Sequence, residues 1–185
     1  MTDHLMRLLD ILLSLVLLGV LVPIFLVVAL LIFLFDEAPI FFVQTRLGRF
    51  GTEFRMLKFR TMIKRSHRGS FSTQENDPRI TKFGRVLRLS SLDELPQLFN
   101  VLVGDMSLVG PRPDVVEQKC LYQPDQLSER LSVRPGLTGC AQVKYRSNAT
   151  FEQRLEADLE WVRHRSLGMY LRMIVGTVTA YGSAN

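Results

Sequence analysis

Apolar residues fill almost every position from Ile11 to Phe35, interrupted only by Ser14, Gly19 and Pro23 and by no charge. That run is about long enough to cross a hydrocarbon core roughly 30 Å thick. A cleaved signal peptide does not fit, because the run is too long and no small-x-small site closes it. Two readings remain: a straight helix through the bilayer, or a helix that enters, bends and leaves on the same side. Pro23 lies near the middle, lacks a backbone donor and clashes with the carbonyl of Gly19, so a kink is expected there. Each arm would then have about a dozen residues, too few to span. Arg7 precedes the run beside Asp3 and Asp10, and Arg46 and Arg49 follow it after Asp36 and Glu37. The positive-inside rule puts the C-terminal flank in the cytoplasm and leaves the N-terminal flank undecided.

Beyond Phe35 the pattern shortens. Phe41-Phe42-Val43 and Glu53 to Phe59 read as strands, with Gly48 and Gly51 as turn signals between them. Lys64 to Arg79 is polar and rich in turn formers, which predicts a loop. Thr81 to Leu89 predicts a basic helix with Phe83, Val86, Leu87 and Leu89 on one face, and Leu95 to Val103 a short apolar one. Asp125 to Leu131 suits a helical turn and Arg134 to Gly139 a loop. Phe151, Leu155, Leu159 and Val162 recur at helical spacing opposite Glu152, Glu156, Glu160 and Arg163. Leu167 to Val178 is apolar apart from Arg172, and fits either a core helix or one lying in a membrane interface. This order predicts a mixed α/β cytosolic domain, residues 37–185, attached to a membrane helix, residues 1–36.

The net charge of +5 is modest, but between Gln44 and Arg88 twelve basic residues face three acidic ones. Such an excess favours anionic partners such as lipid headgroups or a nucleotide diphosphate, or else forms a solvated basic face. Nucleic-acid binding lacks both a recognition motif and an aromatic stacking pattern. Cys120 and Cys140 make no metal or disulfide pattern, and His4, His67 and His164 have no metal-ligand spacing.

The chemistry concentrates in Ser91-Leu92-Asp93-Glu94-Leu95-Pro96-Gln97-Leu98-Phe99-Asn100. Ser91 with Glu94 three residues later matches a capping box, which would make the carboxylates structural. Pro96 suits instead the first turn of a helix that starts just before it. Asp93 and Glu94 then lie on the approach to that helix, free to face a ligand. Two adjacent carboxylates can divide labour, one as nucleophile or base and the other as ligand to Mg²⁺, which favours one or two carboxylates plus phosphate oxygens. Nearby arginines would offset the charge. Arg112 stands between Pro111 and Pro113, whose rings restrict the backbone and suit a guanidinium placed for bidentate phosphate binding, or merely shape a turn. Arg88 and Lys58 are further phosphate candidates.

Lys58-Phe59-Arg60-Thr61-Met62, the Ser91-to-Asn100 run, Gly104 through Pro113 and Arg134-Pro135-Gly136-Leu137-Thr138-Gly139 together resemble the bacterial sugar transferase family, and within it the small monotopic phosphoglycosyl transferases. The resemblance covers nearly the whole chain. It implies an Mg²⁺-dependent enzyme at the cytoplasmic face of the bacterial inner membrane. Such enzymes move a sugar-1-phosphate from a UDP-sugar to undecaprenyl phosphate with release of UMP, the first membrane step in building O-antigen, capsule, exopolysaccharide or glycoprotein glycans. It implies Asp93 as the nucleophile that forms a phosphosugar intermediate, Glu94 as the Mg²⁺ ligand, and Pro111, Arg112 and Pro113 as a phosphate-contacting element. Arg88 and Lys58 fall at basic positions assigned to phosphate or polyprenyl phosphate. The family's membrane helix is re-entrant, broken at a proline that matches Pro23, with membrane phospholipid as partner; self-association stays open. A decayed membrane-anchored scaffold is the alternative, against which Asp93, Glu94 and Arg112 all stand intact. The chain departs from the family pattern at Val22, where Ser is common, at Cys140, where Trp is common, and at Tyr170, where an acid is common.

Overall fold

The computed structural model describes residues 2–36, 39–63, 77–146 and 148–182. The apolar run forms α1, Thr2–Phe35, one long helix with Pro23 in its interior rather than at an end. Met6, Asp10, Ser14, Val28 and Ile32 are its buried residues. At 100° per residue these positions fall on one stripe, the side laid against the rest of the protein. Leu5, Leu8, Leu12, Val16, Val20, Val27, Leu30 and Phe33 are exposed on the remaining faces.

The two predicted strands are β1, Phe41–Leu47, and β2, Glu53–Phe59. They pair as an antiparallel hairpin with Phe42 opposite Lys58 and Arg46 opposite Phe54. The predicted basic helix is α2, Lys82–Leu89, capped by Thr81, whose side chain accepts from the Gly84 N–H at 2.8 Å. The apolar helix is α3, Gln97–Val103. The chain continues through β3, Ser107–Val109, α4, Pro124–Arg130, and β4, Gly136–Thr138. After these come α5, Cys140–Tyr145, α6, Phe151–His164, and α7, Leu167–Gly182. The predicted loop from 64 to 79 lies mostly outside the described residues. The second predicted loop is partly a strand: β4 pairs in parallel with β3, Val109 opposite Thr138.

α1 supplies both main clusters of the core. Met6 joins Phe54, Met56, Leu98, Val101, Trp161 and Tyr170, while Val28 and Ile32 join Phe59 and Leu87. Phe25 packs against Phe59 with ring centroids 5.3 Å apart. Polar bonds fix both ends of the helix as well. Arg7 donates to the carbonyls of Val101 and Leu102 at 2.6 and 2.8 Å, and Asp36 accepts from the Thr81 hydroxyl at 2.7 Å. Tyr170, fully buried on α7, donates to Asp10 at 2.8 Å. A phenol there gives the Asp10 carboxylate a donor, where an acid would set two carboxylates against each other.

Candidate active site

Pro96 decides how the dyad is presented. It cannot sit inside a helical ladder, so α3 begins immediately after it and the preceding residues make a single tight turn, Leu92–Glu94. The capping box does not form. Ser91 adopts a left-handed backbone, φ 56°, and its side chain caps nothing. Asp93 and Glu94 are therefore approach residues, as the proline reading expects.

The two carboxylates lie in different surroundings. Glu94 accepts from Lys58 Nζ at 2.7 Å on Oε1, and Arg112 grips the same carboxylate with Nη2 on Oε1 and Nη1 on Oε2, the latter at 3.3 Å. Burial alone would raise its pKa, but the charges and hydrogen bonds of Arg112 and Lys58 outweigh it and hold Glu94 well below the usual carboxylate range. Asp93 is 7% exposed and accepts no hydrogen bond from the described residues. Burial pushes its pKa up and the Glu94 charge adds to that, while Lys58, Arg88 and Arg112 pull it down. Lys58 is itself pushed down by burial, with Glu94 opposing. The structure thus brings Lys58, Arg88, Asp93, Glu94 and Arg112 to one place. Arg88 reaches it from the last turn of α2, and Lys58 from β2.

Two supports hold Arg112. The first is the β3–β4 pair, which delivers the chain directly into Gly110-Pro111-Arg112-Pro113. Gly110 N–H donates to Thr138 O and Gly136 N–H to Pro111 O, both at 2.8 Å. The second is Arg130, 2% exposed at the end of α4. It donates to the Arg112 carbonyl at 2.6 Å, to Asp114 at 2.7 Å and to Asp158 at 2.9 Å, and Tyr122 adds a bond to Asp114 at 2.6 Å. Pro111 and Pro113 therefore shape a segment that is also clamped from below.

Arg46 joins this region without having been singled out in the sequence. It donates to the Pro113 carbonyl at 3.0 Å and to Gln44 at 2.7 Å, while its buried Nε has no partner among the described residues. Burial, reinforced by the nearby Arg112 charge, lowers its pKa to about 10. The signal lay in the hairpin register: Arg46 pairs with Phe54, which shares a face with Lys58. Asn100, the last residue of the motif, lies buried on α3. Its side chain accepts from Leu57 N–H at 3.0 Å and donates to Arg55 O at 2.8 Å, tying α3 to the free edge of β2.

Among the described residues no three His, Cys, Asp or Glu side chains cluster as a metal site. Glu94 nevertheless retains acceptor capacity. A carboxylate offers about four lone-pair positions, and Lys58 and Arg112 use Oε1 twice and Oε2 once. One divalent cation shared with substrate phosphates fits that remainder. Cys140 is buried, and burial first pushes its thiol up to about 11, which favours the protonated form at neutral pH.

Comparison with known proteins places these residues in a family context. The family model for bacterial sugar transferases matches residues 1–183. A UDP-glucose:undecaprenyl-phosphate glucose-1-phosphate transferase of Caulobacter vibrioides is 41% identical over 180 residues, 93% of this chain and 67% of that protein. A protein of the same name from Xanthomonas campestris is 43% identical over 164 residues, 84% of this chain. The match there spans only 34% of the relative's length. An exopolysaccharide production protein of Rhizobium leguminosarum is 40% identical over 186 residues, covering 94% of this chain and 93% of that one.

Proposed function

The chain belongs to the bacterial sugar transferase family, and from that premise we propose that it transfers a sugar-1-phosphate from a UDP-sugar to undecaprenyl phosphate, beginning the assembly of a surface glycan. The observation that carries this reading is the contrast within the dyad: Glu94 is ionised and held by two cations, while the neighbouring Asp93 carboxylate has no hydrogen-bond donor among the described residues. A carboxylate with no donor to satisfy it keeps its lone pairs for an electrophile.

In the first step an Asp93 oxygen attacks the β-phosphorus of the UDP-sugar. The new P–O bond forms as the bond from that phosphorus to the bridging oxygen breaks, and UMP leaves with the electron pair. In the second step the phosphate oxygen of undecaprenyl phosphate attacks the same phosphorus and Asp93 is released. Arg112, Lys58 and Arg88 stand where they can offset the phosphoryl charge as it shifts. Glu94 would hold a Mg²⁺ ion, which when bound would supply further charge neutralisation.

We read the chain as monotopic on the cytoplasmic face of the inner membrane. Arg7 lies before the apolar run and Arg49 after it, yet both line one cleft, and both ends of α1 bond the same domain. A straight crossing would separate them by the bilayer. Leu171, Val175 and Val178 on α7 and Phe99 and Val103 on α3 are also exposed, which suits a domain seated in the interface.

The test is to incubate detergent-solubilised protein with UDP-sugars labelled in the sugar, without acceptor, starting with UDP-glucose, the donor named for two of the relatives. One sugar-phosphate mass added at Asp93 is expected, with Asp93→Asn losing both the adduct and UMP release. Undiminished UMP release from folded Asp93→Asn would overturn the nucleophile assignment.

A further inference from the structure

A second basic cavity lies away from the dyad, between the first turns of α1, the tip of the β1–β2 hairpin and the junction of α6 with α7. It is a small open cleft with a cavity volume of about 50 Å³. Its wall includes four guanidinium groups, those of Arg7, Arg49, Arg134 and Arg165, and two carboxylates, Asp3 and Asp10. None of Lys58, Arg88, Asp93, Glu94 or Arg112 borders it. The two sites stand at opposite ends of α3, since Arg7 bonds the carbonyls of its last turn while the dyad precedes its first.

The state of each charged group points to an anion. Arg49 is tethered through Nε alone to Ser132 O, and Arg134 through Nε alone to Gly104 O, both at 2.8 Å. The terminal nitrogens of both are left without a hydrogen-bond acceptor among the described residues. A guanidinium fixed by its Nε presents a planar fork suited to two phosphate oxygens. Of the two acids, Asp10 is engaged with Ser107, Leu108 N–H and Tyr170. Asp3 pairs two-pronged with Arg165, both bonds at 3.2 Å, and feels the Arg49 charge as well, so an incoming anion competes with one carboxylate.

One wall of the cleft is the start of the apolar helix. Arg7 lies four residues before the apolar run, and Leu5, Leu8 and Leu12 are exposed on the opposite face of the same turns. Phe50, at the hairpin tip, is 72% exposed and takes a left-handed backbone, φ 58°, unusual for an aromatic residue. The Arg49 guanidinium lies over its ring, 4.5 Å from the centroid. We propose that this cleft is a second anion site that binds the phosphate of a headgroup at the membrane surface, or of free phosphate, through Arg49 and Arg134. Basic pockets beside membrane helices hold anionic headgroups by this chemistry.

The proposal does not depend on the transferase reading, because its test contains no nucleotide sugar. Trp161 is the single tryptophan of the chain and lines the cleft, so its emission reports occupancy. The full chain in neutral detergent is titrated with short-chain phosphatidylglycerol, with diacylglycerol of the same chain length, and with inorganic phosphate. A saturable change is expected with phosphatidylglycerol or phosphate and not with diacylglycerol. Arg49→Gln and Arg134→Gln should each weaken it at least about tenfold, as expected for loss of a charged hydrogen bond. Arg163→Gln, whose guanidinium pairs with Glu129 on an exposed face, should respond like the parent. Saturation by phosphatidylglycerol where phosphate is silent identifies a headgroup; saturation by phosphate alone identifies the free ion. If Arg134→Gln fails to fold for want of its bond to Gly104, Arg49→Gln still decides. The site is refuted if neither anion moves the emission, if diacylglycerol matches phosphatidylglycerol, or if folded Arg49→Gln titrates like the parent.

Discussion

Arg112 and Glu94 meet fork to fork, and Lys58 closes on the same Glu94 oxygen that Arg112 Nη2 takes. One carboxylate therefore orients two cations that would otherwise repel each other. Arg112→Lys keeps the charge but cannot span both oxygens. A hydrogen bond involving a charge contributes about 1.5–3 kcal/mol, so UMP release by Arg112→Lys should fall about 10- to 150-fold. Full activity in that variant would show that the two-pronged contact has no part in catalysis.

The pH profile follows from Asp93. As the proposed nucleophile it would attack only when ionised, and burial holds its pKa above the ordinary 3.8. The acid limb of kcat/KM should therefore lie above that of an exposed aspartate. Lys58 is the largest charge pulling this pKa down, so Lys58→Met should move the limb to higher pH, and Arg88→Gln should move it less. A limb that stays in place in Lys58→Met would remove Asp93 from control of the profile. Glu94 acts in the opposite sense on stability. Its folded-state pKa is depressed, so its contribution is present above the ordinary 4.5 and is lost as pH falls below it. Thermal melting of the parent should drop on acidification through that range, and that of Glu94→Gln should drop less.

Gly110 and Gly136 approach so closely that a Cβ on Gly136 would overlap the Gly110 nitrogen and the Thr138 carbonyl oxygen. Both obstacles are backbone, so neither can step aside. Gly136→Ala should cost about 1–3 kcal/mol, the usual range for overpacking, read as a lower melting temperature. Because this strand pair leads directly into Arg112, UMP release should fall as well, even at temperatures where the variant remains folded.

A cysteine at Thr2, in a background of Cys120→Ser and Cys140→Ala, tests the membrane arrangement. A membrane-impermeant thiol reagent should label it only after the cytoplasmic side is opened. Labelling from the periplasm of intact cells would refute the monotopic reading.

Which parts of this architecture were legible in the sequence follows from the range of the forces involved. Alternation and glycine spacing locate the hairpin, and helical periodicity locates α6, because those signals are local. Pro96 pointed to the presentation of Asp93 and Glu94, since its missing donor forbids the longer helix. The β3–β4 pair escaped, because three-residue strands carry no period and their pairing joins Ser107 to Gly136 across the chain. Arg46 and Arg130 escaped for a related reason. Arg46 looked like one more member of the basic run and Arg130 carried no local signal, and only the fold turns them inward to the Pro113 and Arg112 carbonyls.

Asn100 has a consequence beyond anchoring α3. By taking Leu57 N–H and Arg55 O, its amide occupies the place a third strand would fill. The ladder ends in a side chain, which leaves no template there for a neighbouring molecule to extend. That single amide thereby closes one stretch of strand edge to edge-to-edge polymerisation.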